Sequence, residues 1–201
     1  MGTDAGIETP SFMGPFKDVP PVIRRAADPA AVAGAPPGAL PFQIQVQQQT
    51  QWCWAAVAAS VTDYFNAVNG SAVKAQCELA SDYAKPSDCC ADPTAEGCNE
   101  PSALETVLGD IGRLEEDVEG RMEFADIVTE IATRKSPVCC KIAWPKDPDG
   151  HYVVIMGCHN DTSQDVIVLD PAEASPHCGA YPFEQFKTLA GGTWTNTMRT
   201  K

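Results

Sequence analysis

The stretch QQQTQWCWAAVAAS, residues 47–60, sets one cysteine between two tryptophans at the entrance to an alanine-rich segment. A thiol at a helix N-terminus faces backbone N–H groups without intrahelical partners and the positive end of the helix dipole, a position that favours thiolate. Cys53 is therefore a candidate nucleophile rather than a cross-link. A thiol attacking a carbonyl also needs an imidazole to carry a proton, and a third group to orient that imidazole. The chain offers three histidines. His151 opens the run GHYVVIMG directly after DPDG, so its ring can project from a strand end towards a cleft. His159 lies in a turn (GCHND) and His177 in a loop (SPHCG), where a solvated side chain is the plainer reading. Asp170 ends the run VIVLDP 19 residues after His151, room for a strand, a turn at HNDTSQ and a returning strand that carries the carboxylate back to the ring. An Asp before Pro is also an ordinary turn starter. Its assignment rests on its conjunction with Cys53 and His151.

Attack on a carbonyl creates an oxyanion, which needs donors aimed at the place where the charge develops. The backbone N–H of Cys53 is one such donor. Gln47, six residues upstream, is the candidate for the other, with Gln45, Gln48, Gln49 and Gln51 as rivals. The glutamine run is equally readable as a polar approach strand. Chemistry of this kind uses no metal and no organic cofactor.

The elements around these residues change character along the chain. In CWAAVAASVTDYFNAV, Trp54, Val57, Val61, Tyr64 and Val68 recur at helical spacing, predicting a buried helix of about four turns with Cys53 at its start. EPSALETVLGDIG and MEFADIVTEIATRK predict two more helices. SPVCCKIAW, HYVVIMGC and DVIVLDP are short β-rich runs bounded by Pro, Gly and Asp, and TWTNTM reads as a fourth strand. Helices followed by closely connected strands predict an α+β domain with an antiparallel sheet. Residues 1–42, dense in Pro, Gly and Ala, read as a leader or linker, and residues 43–201 as the domain. The leader ends a few residues before Gln47 and carries Phe12, Met13, Phe16, Val22 and Ile23, which gives it the means to lie along a substrate groove.

The 201 residues, 44% of them hydrophobic, suffice for one domain with a full core. A net charge of -13 argues against nucleic acid and anionic membrane surfaces as partners, because the summed field repels phosphate. No apolar run approaches the length of a membrane span, and MGTDAGIETP lacks the charged and apolar regions of a signal peptide. Nine cysteines nevertheless point to an oxidising destination, so export is expected after signal removal or by another route. Cys77, Cys89, Cys90 and Cys98 crowd a polar, turn-rich stretch and predict two disulfides of unknown connectivity. Zinc is the alternative there, disfavoured by the absence of CxxC spacing and of a nearby histidine. An odd cysteine count fits one nucleophile and eight others available for pairing, Cys139, Cys140, Cys158 and Cys178 included.

Gln47 six residues before a Cys-Trp-Ala that opens a helix, followed by GHYVVIMG and VIVLDP, resembles the papain-like superfamily of cysteine peptidases. The match is nearest to its compact bacterial group, which includes secreted effector peptidases of plant pathogens and bacteriocin-leader peptidases, and it covers the chain from about Gln43 onwards. The resemblance implies a papain-like fold with N-terminal helices packed on a C-terminal antiparallel sheet. It also implies nucleophile Cys53, base His151, orienting Asp170 and oxyanion amide Gln47. TQWCW replaces the Cys-Gly-Ser-Cys-Trp of plant and lysosomal papains, and Asp170 stands where papain has Asn. The expected activity is hydrolysis of a protein or peptide substrate by a monomer. A transamidase or glutamine deamidase would use the same site, and an inactive cysteine-rich binding module is the reading from another class.

Overall fold

The computed structural model describes residues 38–69, 73–83, 88–145, 147–172 and 179–201. The leader up to residue 37, His177 and Cys178 lie outside them. Six strands, β1 (Leu114–Glu119), β2 (Val138–Trp144), β3 (Asp147–His159), β4 (Asp165–Leu169), β5 (Gly179–Pro182) and β6 (Thr193–Thr200), form one sheet in the order β1-β6-β2-β3-β4-β5. Every neighbouring pair is antiparallel. The helices α1 (Cys53–Asn69), α2 (Gln76–Tyr83) and α3 (Leu104–Asp110) precede the sheet in the chain and pack on one another, with α1 against β3. This is the α+β architecture expected.

Helix α1 is more deeply enclosed than a one-sided stripe would require. Residues 53–61 are all buried, including Ala55, Ala56, Ala58 and Ala59, and only from Thr62 does one face open. Alanine explains the difference, because small side chains let α2, α3 and β3 close around the helix from several directions. Trp52 precedes it with a carbonyl that accepts from Ala56 N at 2.9 Å, so the helix begins at the cysteine.

Three elements depart from the expected pattern. Helix α2 lies in a stretch read as polar loop, with Gln76, Leu79 and Ala80 buried on α1. Strand β1 sits between α3 and a fourth helix, α4 (Phe124–Val128), so strands do not wait for the helices to end. Its sequence LEEDVE is mostly exposed because it forms a sheet edge, paired only to β6. The third expected helix is α4 continued by a π-helical turn over Thr129–Arg134, which ends at Lys135 in the left-handed region.

The loop cysteines form Cys77–Cys90 and Cys89–Cys98 disulfides. The expectation that all eight remaining cysteines could pair does not hold: Cys139, Cys140 and Cys158 are free and buried in β2 and β3. Strand geometry gives the reason. Cys139 and Cys140 are adjacent and alternate across the sheet, packing as small apolar side chains. Burial raises the pKa of all three thiols and keeps them neutral.

Candidate active site

Strand β3 delivers His151 to the first turn of α1. The DPDG stretch before His151 is part of β3 itself: Trp144 pairs with Asp147 and Ile142 with His151, so two steps along β2 are matched by four along β3. The bulge places Gly150 at φ 67°, and a Cβ there would come within 2.5 Å of the Ile142 carbonyl oxygen. Glycine is required immediately before the histidine.

His151 Nε2 lies 2.6 Å from Asp170 Oδ1. Asp170 follows the last residue of β4, is 1% exposed, and its Oδ1 also accepts from Ala172 N at 2.8 Å. The carboxylate is thus fixed from two sides. With Nε2 engaged by Asp170, Nδ1 is the ring nitrogen left for Cys53, the other hydrogen-bond partner of the imidazole. Burial acts against a charged ring, but the charge and hydrogen bond of Asp170, followed by those of Cys53, outweigh it and raise the His151 pKa to about 10. The arrangement favours an imidazolium beside sulfur. Cys53 is a free thiol with 8% residual exposure, and the His151 side chain is 19% exposed, so both are shielded but reachable.

The loop before Cys53 is tied to the Asp170 side by Gln47 N donating to the Pro171 carbonyl at 2.8 Å. The Gln47 side chain folds back on its own loop, with Nε2 donating to Gln49 O at 3.0 Å and to Thr50 O at 2.9 Å. Among the described residues its buried Oε1 has no hydrogen-bond partner. Exchanging the amide oxygen and nitrogen would set Oε1 against two carbonyl oxygens, so the assigned orientation is the favourable one. Gln45 is committed elsewhere: its Nε2 donates to Asp63 Oδ2 at 2.5 Å and its Oε1 accepts from Gln76 Nε2 at 3.1 Å. His159 sits at the opposite end of β3 from His151, 3.9 Å from Asp165.

Sequence reasoning passed over a second segment beside the thiol. Trp52 Nε1 donates to Cys98 O at 2.7 Å, and Trp54 Nε1 donates to Glu100 O at 3.1 Å. Between them, Gln51 N donates to Asn99 Oδ1 at 2.9 Å, and Asn99 Nδ2 donates to Thr50 Oγ1 at 2.8 Å. The two tryptophans that frame Cys53 are thus hydrogen-bonded anchors for residues 98–100. The only advance signal was a pair of indoles that, once buried, need acceptors.

A search of curated proteins finds no match. Among solved structures, the peptidase domain of Streptococcus mutans ComA aligns at 16% identity and TM-score 0.43, over 80% of this chain and 100% of that one. Digestive procathepsin L 3 of Tenebrio molitor larval midgut aligns at 10% identity and TM-score 0.51, over 82% of this chain and 67% of that one, a likeness of fold. The family described as papain-like cysteine protease AvrRpt2 matches residues 38–189, and the chain belongs to that family of cysteine peptidases.

Proposed function

We propose that the protein hydrolyses peptide bonds through Cys53, His151 and Asp170, with Gln47 and the Cys53 N–H stabilising the oxyanion. The observation that carries this reading is His151, bonded through Nε2 to a buried carboxylate and paired on its other side with a free thiol at a helix start. The thiolate attacks the carbonyl carbon, a C–S bond forms, and the carbonyl oxygen takes the electron pair. Collapse of this intermediate breaks the C–N bond as the imidazolium gives its proton to the departing amine. Water then attacks the thioester, the imidazole takes its proton, and the C–S bond breaks to release the acid and restore the thiolate beside the imidazolium. Asp170 keeps the ring oriented and supports its charge throughout. For Gln47 to serve, the oxyanion must replace the Gln49 carbonyl as acceptor of its amide, with the bond to the Thr50 carbonyl kept. A charged acceptor makes the stronger hydrogen bond, and catalytic bonds commonly tighten only with substrate bound.

The substrate is a protein or peptide, and the chain acts as a monomer: among the described residues the exposed large apolar side chains reduce to Val73. Two disulfides favour an exported, oxidising destination. Among the described residues no helix is long and apolar enough to cross a membrane.

The test is Cys53→Ala against wild type on a mixed peptide library read by mass spectrometry, with E-64 labelling mapped by peptide analysis. Shortened peptides from wild type alone, and label on Cys53, are expected. Intact chains with an amide changed to an acid, or with an added amine, would replace hydrolysis by deamidation or transamidation. A mutant as active as wild type would remove the site altogether.

A further inference from the structure

We propose that Asn99 is a positioning residue for the oxyanion amide, acting on Gln47 through the peptide group between Thr50 and Gln51. The inference rests on the peptidase reading above. That single peptide is held at both ends: its C=O accepts from Gln47 Nε2 at 2.9 Å, and its N–H donates to Asn99 Oδ1 at 2.9 Å. A peptide group is planar, so fixing the direction of its N–H fixes the direction of its C=O. Asn99 adds a second bond to the same residue pair, Nδ2 to Thr50 Oγ1 at 2.8 Å, which selects the asparagine's own orientation.

The loop needs such a clamp because residues 43–52 lie outside any helix or strand, and no ladder orders them. Asn99 itself stands on firm ground. Its predecessor Cys98 is 2% exposed, cross-linked to Cys89 and bonded through its carbonyl to the Trp52 indole, and its successor Glu100 accepts from Trp54. Rigid support thus passes from the disulfide through Asn99 to the Thr50–Gln51 peptide and on to the Gln47 amide. The turn bond from Trp52 N to Gln49 O at 3.1 Å spans that peptide without engaging it, so without the Asn99 acceptor the peptide can flip, and a flip takes the Thr50 carbonyl away from Gln47. The amide then loses one of the two bonds that fix its orientation.

The role separates from general folding because the two Asn99 bonds are exposed, where loss of a hydrogen bond costs little stability. Two probes of Cys53 divide the chemistry. Iodoacetamide alkylates sulfur by displacement at a saturated carbon and forms no oxyanion, whereas a p-nitrophenyl ester acylates through a tetrahedral oxyanion. In the full-length protein, Asn99→Ala should slow release of nitrophenolate by about 10-fold or more, part of what loss of an oxyanion donor costs. The alkylation rate should stay within about 2-fold of wild type, as expected for an unperturbed thiol and imidazole. Asn99→Asp keeps the acceptor for Gln51 N and should recover most of the loss. Gln47→Ala should show the same split, and the double variant should be no slower than Gln47→Ala alone, since both act on one group. Equal slowing of both reactions by Asn99→Ala, unchanged acylation, or additive losses in the double variant would overturn the inference. Cys53→Ala keeps the two proposals apart. If it abolishes acylation while Asn99→Ala has no effect, only the Asn99 inference fails; if it acylates like wild type, the peptidase reading fails first.

Discussion

Asp170 decides how far into alkaline solution the site keeps its charge. The free imidazole titrates near 6.5, and the folded value of about 10 means that the protonated ring is held well above neutrality. The sign follows from the folded pKa lying above the unfolded one. The stabilising interaction is complete below about pH 6.5 and is lost as pH rises through about 10. For activity, the alkaline limb of kcat/KM should fall near pH 10 in wild type, where His151 loses its proton. Asp170→Asn removes the carboxylate charge while keeping an oxygen that can orient the ring, so its limb should move to lower pH. A kcat/KM profile for Asp170→Asn superimposable on wild type would contradict the charge argument. The candidate residues were legible because the chemistry restricts them to few types: three histidines and one cysteine at a helix start leave few combinations. Asn99 was not legible, since an asparagine that accepts from one backbone N–H 48 residues away and donates to a neighbouring hydroxyl has no local pattern.

At the scale of the elements, the bulge before His151 and the stapled loop beside Trp52 and Trp54 both position the thiol's surroundings. Gly150→Ala would put a Cβ against the Ile142 carbonyl at a backbone conformation that side chains rarely adopt. Relief of that clash must shift His151, which is next in the chain. Activity should fall by more than about 10-fold, a loss typical of a misplaced catalytic group. Circular dichroism should retain the sheet, and an active Gly150→Ala enzyme would show that the bulge does not set the ring. The cysteines allow a second check by alkylation in denaturant without reductant. Cys53, Cys139, Cys140 and Cys158 should be labelled, and Cys77, Cys89, Cys90 and Cys98 protected. Label on any of the last four would break the assigned connectivity. The long helix and the apolar strands were readable because their burial imposes a period. Strand β1 and helix α2 were not, because an edge strand can be acidic and a helix of 8 residues needs only Gln76, Leu79 and Ala80 inward.

For the whole molecule, the boundary between leader and domain has a measurable place. Leu40 and Phe42, on the leader side of the boundary expected after residue 42, are buried in the core at 3% and 2% exposure. Leu40 N donates to Met156 O at 2.8 Å, Cys158 N donates to Gly38 O at 3.0 Å, and a Cβ on Gly157 would stand 2.8 Å from Ala39. The described chain therefore enters along the end of β3 remote from His151, at a distance of about 20 Å for six residues of extended strand. The expectation that the leader emerges beside the cleft rested on its closeness to Gln47 in sequence, and these contacts draw its end elsewhere. Two truncated chains separate the consequences. One beginning at Gly38 keeps every one of these contacts and should match the full chain in Tm and in the rate of Cys53 alkylation. One beginning at Gln43 loses both buried side chains and the contacts to β3. Loss of a single large core side chain costs about 2–5 kcal/mol, a large share of the stability of a domain this size, so its Tm should drop steeply or folding should fail. Equal Tm for the two would place Leu40 and Phe42 outside the folding unit, and faster alkylation on starting at Gly38 would mean that residues 1–37 reach back over the thiol after all.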